Sequence, residues 1–268
     1  MRYLFLTAAA LALSALLGYA FSRLVFRCGK AGRAKRILAG LLAAILLFSA
    51  AGLAYLGVYS RAADEAMRAL EGSGSVTVKK LEGGYLFDGP GDEKAIVFYP
   101  GGKVQTEAYA SLMLLLAEGG TDCFLADMPF RIAFFRINAA DSFISGAYDG
   151  WFVMGHSLGG FAASSYASSH PDGLRGIILL ASYPVKELSD KLCLLSVYGS
   201  EDGILEMDEY EKGRGYWPSD SAEAVIQGGN HARFGSYGIQ KGDGEAAISE
   251  REQQEETARV IAEWLEEH

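Results

Sequence analysis

The sequence predicts an α/β chain, a mostly parallel sheet with helices on both faces, preceded by two transmembrane helices. Three observations carry this reading. From residue 94 onward, short apolar runs of strand character alternate with segments of helical periodicity, an order that needs a parallel sheet covered on both faces. One of those runs, residues 151–154, ends abruptly in Gly155-His156-Ser157-Leu158-Gly159-Gly160, and small residues at helix-forming spacing follow it. Finally, residues 3–22 and 37–60 contain no charged side chain, and about 20 apolar residues suffice to cross a hydrocarbon core.

Between the two apolar stretches lie Arg23, Arg27, Lys30, Arg33, Lys35 and Arg36, with no acidic residue among them. The positive-inside rule puts this loop in the cytoplasm, so the remainder of the chain is expected on the extracytoplasmic side of a cell membrane as part of a multi-pass protein. A competing reading makes the first stretch a cleaved signal peptide. It is long for one, and the basic cluster directly behind it would hinder export. The expected organisation is a membrane hairpin over 1–61, a mixed-charge and Gly/Ser linker over 62–75, and a folded domain over 76–268.

Charge divides along the chain. Residues 72–268 hold 15 basic and 30 acidic groups, a formal charge of −15. Such a surface repels phosphate backbones and excludes nucleic acid as a natural partner. The three cysteines, Cys28, Cys123 and Cys193, form no disulfide framework, and the latter two fall inside strand-like runs where a buried free thiol is expected. No Cys/His spacing resembles a metal site, so neither metal nor cofactor is expected.

In chain order, residues 76–78 and 85–87 flank Glu82-Gly83-Gly84 as a hairpin. A buried-type strand over 94–99 stops at Pro100-Gly101-Gly102, and 107–118 has helical periodicity. A strand over 122–126 and a helix over 139–148 precede the Gly-x-Ser-x-Gly turn. Beyond it come strands over 176–181, 192–198 and 222–227, with a helix over 204–211. The last helix is marked by capping-box spacing, Ser249 to Glu252, and an apolar stripe at Ala258, Ile261, Ala262 and Leu265.

Gly-x-Ser-x-Gly between a strand and a helix is the sequence form of a nucleophile elbow, where a sharp turn lifts the serine to the end of the sheet. Gly155 and Gly159 fit because the strained turn leaves no room for side chains two residues either side of Ser157. A serine hydroxyl needs a base, and the base needs an acid to orient it. Of the four histidines, His156 adjoins the nucleophile and is expected to point away from it. His170 precedes a proline at a helix end, and His268 is the last residue. His231, in Gly228-Gly229-Asn230-His231 after the last strand, is the candidate base. Asp202, in Gly199-Ser200-Glu201-Asp202-Gly203, is the candidate acid, with Glu201 its competitor. The order Ser157, Asp202, His231 is that of one hydrolase fold and of neither familiar serine-protease fold. An oxyanion needs two donors: the Leu158 N–H and a second from Gly102 or Lys103 in the loop after the 94–99 strand.

With Tyr99-Pro100-Gly101-Gly102, Gly155 to Gly160 and Gly228-Gly229-Asn230-His231-Ala232 in place, the chain from about residue 94 resembles the α/β-hydrolase superfamily, and in particular its compact dienelactone-hydrolase-like group. The resemblance implies Ser157 as nucleophile, Asp202 as acid and His231 as base. Pro100 departs from the histidine many relatives carry in a His-Gly oxyanion motif. The 234–244 segment is similar to a site-shaping loop of that group, and a metal role for Asp243 is disfavoured because no ligand partners are evident. The short 181–192 connection is too small for a capping domain, so an open site is expected. Met128, Phe130, Phe134 and Phe135 are expected either to line an acyl pocket or to pack in the core. The expected activity is cleavage of a small-molecule or lipid carboxylic ester through an acyl-enzyme. The alternatives are lipid or lysophospholipid hydrolysis, acyl transfer, peptide cleavage, or a scaffold that binds without turnover.

Overall fold

A computed structural model describes residues 12–20, 22–23, 33–91 and 93–268. The chain divides into two compact units, residues 1–58 and 59–268.

In the first unit, helix α1 (Arg33–Gly57) contains an apolar segment, Ile37–Gly57, of 21 residues with mean hydropathy 2.4. At about 1.5 Å per residue it is long enough to cross a hydrocarbon core about 30 Å thick. It is the one such helix among the described residues. Half of the other expected span, residues 3–22, lies outside the described residues, as does Cys28. What is described there, 12–20 and 22–23, is helical.

The second unit is built on one eight-stranded sheet: β1 (Thr77–Leu81), β2 (Gly84–Asp88), β3 (Lys94–Tyr99), β4 (Asp122–Ala126), β5 (Gly150–His156), β6 (Gly176–Leu180), β7 (Cys193–Gly199) and β8 (Ser221–Ile226), in the order 1-2-4-3-5-6-7-8. β1 and β2 form the expected hairpin through Gly83, at φ 85°, and β2 runs antiparallel to β4. Every other pair is parallel. Before the sheet, within the stretch expected to be a linker, a short helix α2 (Asp64–Ala69) buries Ala66 and Ala69.

Alternation along the central strands sorts side chains into two cores, because successive residues of a strand face opposite sides. Ile96, Phe98, Phe152, Met154 and Ile178 join Leu112, Met113 and Leu116 of α3 (Ala110–Glu118) and Ile261, Trp264 and Leu265 of α6 (Glu250–Glu267). Ala95, Val97, Tyr99, Val153 and Ile177 face the other way, against Ala162, Ala163, Tyr166 and Ala167 of α4 (Leu158–Ser169). α6 begins with the expected capping box: Ser249 Oγ accepts from the Glu252 N–H, and the Ser249 N–H donates to the Glu252 carboxylate. Cys123 and Cys193 are buried and unpaired. Burial pushes the Cys193 thiol up to about 11 and the Cys123 thiol well above its usual range, so both pack rather than react.

Two expected helices differ. The 139–148 stretch has no α-helix; tight 3₁₀ turns run over Ala133–Ser142 instead, with non-helical backbone at Arg136 and Asn138. The buried Tyr99 hydroxyl accounts for this, since it donates to Ile137 O and accepts the Ala140 N–H, replacing the bonds a regular helix would make. The 204–211 helix starts later, as α5 (Met207–Gly213), because the Ile204 and Leu205 amides are held by Asp202.

Candidate active site

A parallel sheet gathers the ends of its strands along one edge, and the site forms there. Ser157 stands between β5 and α4 at φ 52°, ψ −121°, a conformation that L-residues avoid. The turn holds because its amide donates to Leu180 O at the end of β6 and its carbonyl accepts the Ser182 hydroxyl. The predicted need for glycine is visible as distances. A Cβ on Gly155 would sit 2.4 Å from Gly159 O, and one on Gly159 would sit 2.0 Å from Tyr99 O. Ser157 is half-buried, and the 181–192 segment behind it carries neither helix nor strand, so that connection holds no capping domain.

Asp202 follows β7 and His231 follows β8. The structure brings these two together: His231 Nδ1 lies 2.9 Å from Asp202 Oδ2, with both side chains 2% exposed. The other carboxylate oxygen of Asp202 accepts the Ile204 and Leu205 amides, each at 2.8 Å, which fixes the acid's orientation. The competing Glu201 is exposed and bonded to its neighbour Ser200. On the far side of the imidazole, His231 Nε2 is buried and has no hydrogen-bond partner among the described residues. Ser157 Oγ makes no hydrogen bond there either, so the serine–histidine link is not closed in this structure. Such bonds commonly tighten only when substrate is bound.

Of the two expected loop donors, Gly102 and Lys103, the structure favours one. The Gly101 N–H donates to the Tyr109 hydroxyl at 3.1 Å, and the Lys103 N–H donates to Arg131 O at 2.7 Å. The Gly102 N–H has no partner among the described residues. A Cβ on Gly102 would meet Leu158 Cδ2 at 2.7 Å, so the loop lies directly against the residue after the nucleophile. Leu158 opens α4, where an N–H has no intrahelical acceptor.

Other parts of the site were not readable from sequence. Asp243 lies in the segment between β8 and α6. Its carboxylate accepts the amides of Gly203, His231, Ala232 and Gly244, and so ties the acid loop to the base loop. Its setting between Gly242 and Gly244, with room for backbone to close around it, was the available signal. Gln253 of α6 pairs with Asn230 as a backbone strand would, accepting its N–H at 2.9 Å and donating to its carbonyl at 2.7 Å. His156 does not simply point away from the chemistry. Its ring packs 4.6 Å from that of His231, and its Nδ1 lies 2.8 Å from the Tyr109 hydroxyl that also holds Gly101. Burial, reinforced by repulsion from His231, keeps it well below the usual histidine range and therefore uncharged.

A segment just ahead of the domain also reaches this edge. The Ser60 N–H donates to Lys103 O at 2.8 Å, the Gln105 N–H donates to Ser60 O at 2.9 Å, and the Ala63 N–H donates to Ser236 O at 2.8 Å. Of the four residues expected as pocket or core, only Met128 is buried. Phe130, Phe134 and Phe135 lie on the surface.

The fold of the second unit has counterparts among solved structures. No curated protein matches the sequence. Solved structures that share the fold include a dienelactone hydrolase from Anabaena variabilis, 14% identical over 69% of this chain and 91% of its own, TM-score 0.50. A monoacylglycerol lipase from Paleococcus ferrophilus is 18% identical over 65% and 95%, TM-score 0.50. An esterase from M. tuberculosis is 12% identical over 76% and 96%, TM-score 0.53. The model of the alpha/beta hydrolase family matches residues 95–255, more than half of the sequence and every residue of the edge just described except the Ser60 segment, so the chain belongs to the alpha/beta hydrolase family.

Proposed function

We propose that this protein is a membrane-anchored serine hydrolase that cleaves carboxylic esters through an acyl-enzyme. Residues 1–61 form the membrane part, and 76–268 form the catalytic domain on the extracytoplasmic side. The observation that carries the reading is the buried Asp202–His231 pair at 2.9 Å, on the same sheet edge where Ser157 sits on a strained turn. In the proposed cycle Ser157 Oγ attacks the ester carbonyl carbon while its proton passes to His231 Nε2, the unpartnered nitrogen. Asp202 holds the imidazole by Nδ1 and stabilises the imidazolium. The Leu158 and Gly102 amides receive the oxyanion. Collapse of the tetrahedral species expels the alcohol with a proton from Nε2. Water, deprotonated by the same nitrogen, then releases the acid and restores Ser157.

Esters are favoured over amides by the fold's known company, which includes an esterase and a monoacylglycerol lipase. A fluorophosphonate probe is expected to label the full-length protein and to leave Ser157→Ala unlabelled. Equal labelling of both would remove Ser157 from its role. The orientation rests on the basic run from Arg23 to Arg36 before α1. A carboxyl-terminal fusion is expected to be active with alkaline phosphatase and silent with green fluorescent protein; the reverse pattern would turn the domain to the cytoplasm.

A further inference from the structure

Exposed apolar side chains scattered singly over a surface carry no meaning, but grouped ones do. Phe130, Phe134 and Phe135 are 52, 47 and 60% exposed, and the rings of Phe130 and Phe135 stand edge to face with centroids 5.9 Å apart. Their placement is held against a backbone cost. Phe130 and Arg131 are consecutive non-glycine residues at positive φ, 53° and 60°, a backbone region that L-residues avoid. The turn is locked from both sides: the Arg131 N–H donates to Met128 O, and Arg131 O accepts the Lys103 N–H. The Arg131 guanidinium also lies over the Tyr59 ring, 3.4 Å from its centroid.

Tyr59 is the second residue after Gly57, the last residue of the apolar segment of α1. Two residues of chain reach at most about 7 Å, and an aromatic at the end of a span belongs in the headgroup layer. From Tyr59 the chain runs along the sheet edge, bonded at Ser60 to the Gly102–Lys103 loop and at Ala63 to Ser236 in the loop behind His231. At one end of this strap Phe130 lines the same surface depression as Tyr59, with its ring against that of Phe135; at the other, Ile239, three residues beyond Ser236 in the chain, is 99% exposed. Chain connectivity thus leaves this strap beginning two residues past the end of the apolar segment.

We infer that Phe130, Phe134, Phe135 and Ile239 form a docking face for the lipid surface itself, and that the site takes its ester from the bilayer, an acyl amphiphile whose ester group lies at the headgroup level. The substrate half of this inference rests on the hydrolase reading above; the docking half does not. The domain's charge of −15 makes apolar insertion into a zwitterionic surface the suitable contact, since anionic headgroups would repel it.

The test uses full-length protein in phosphatidylcholine vesicles. Phe135→Trp is expected to add fluorescence that acyl-brominated phosphatidylcholine quenches beyond the quenching of the parent, whose three tryptophans are at 151, 217 and 264. The triple variant Phe130→Ser, Phe134→Ser, Phe135→Ser is expected to hydrolyse a fluorogenic long-chain monoacylglycerol analogue in the bilayer about ten-fold more slowly. It should hydrolyse a water-soluble acetate ester at the parent's rate, which also certifies its fold. Absence of added quenching, or equal loss on both esters, would overturn the docking face. A detergent-solubilised dimer that the triple variant splits, without quenching in vesicles, would assign the face to a second copy and overturn the lipid reading. Added quenching in Phe135→Trp, with neither ester turned over by the parent, would sustain the docking face while removing the hydrolase reading.

Discussion

The two sides of the site are built to different degrees of completion. On one side, Asp202 and His231 are already bonded, nearly fully buried, and held by amides that Asp202 and Asp243 accept. On the other, Ser157 presents a half-buried hydroxyl and the Gly102 loop one amide, that of Gly102, without an acceptor among the described residues. The Asp202–His231 side is satisfied without substrate except at His231 Nε2. On the proposed reading, the Ser157 side is left for the substrate to satisfy, and binding energy spent there favours the transition state over the ground state.

The largest expected effect comes from breaking the finished side. Asp202→Asn keeps the volume but presents the wrong hydrogen-bonding group to His231 Nδ1, and kcat should fall by about 10⁴. Glu201→Gln, one residue away and facing solvent, should change kcat less than two-fold, about the scatter of surface changes. Parallel steady-state assays of the two variants on one soluble ester measure the contrast, and a comparable loss in Glu201→Gln would reassign the acid. The unfinished side should respond less steeply. Gly102→Ala drives a methyl against Leu158 and shifts one donor without deleting it, so kcat should fall about 10²-fold with KM little changed. An unaltered kcat would place the second donor elsewhere.

Much of this contrast was legible in the sequence, and the exceptions are instructive. Ser157, Asp202 and His231 could be found because each follows a strand whose alternation or apolar run is unmistakable, and because an elbow tolerates only glycine around its serine. Boundaries drifted where a side chain displaced a backbone bond, as with Tyr99 at 137–140 and Asp202 at 204–205. The choice between Gly102 and Lys103 depended on Arg131, 28 residues beyond Lys103 in the chain, and no local pattern announces such a partner. Asp243, Gln253 and the Ser60 strap were missed for the same reason: each acts on backbone groups far away in sequence, which leave no periodic trace.

The smallest expected effect separates the two sides by pH. His156 sits between them, bonded toward the Gly101 loop through Tyr109 and packed on His231. Its folded-state affinity for a proton is held well below the ordinary value of 6.5, so as pH falls through 6.5 the unfolded chain takes up a proton that the folded one refuses. Stability is therefore fully present above that value and declines below it, by up to about 1.4 kcal/mol per pH unit. Melting temperatures between pH 7.5 and 5 should fall more steeply for the parent than for His156→Gln, and identical slopes would remove His156 from the balance.

The strap from Tyr59 to Ala63 also decides what a protease could do to this molecule. A cut ahead of Tyr59 would leave the strap on the same piece as the domain, with the loop beside Ser157 still held in place. A cut just after Ala63 would free the strap from the domain and expose Lys103 O and the Gln105 N–H to water. Two nicks a few residues apart would thus have opposite outcomes for that loop, one keeping its support and the other removing it.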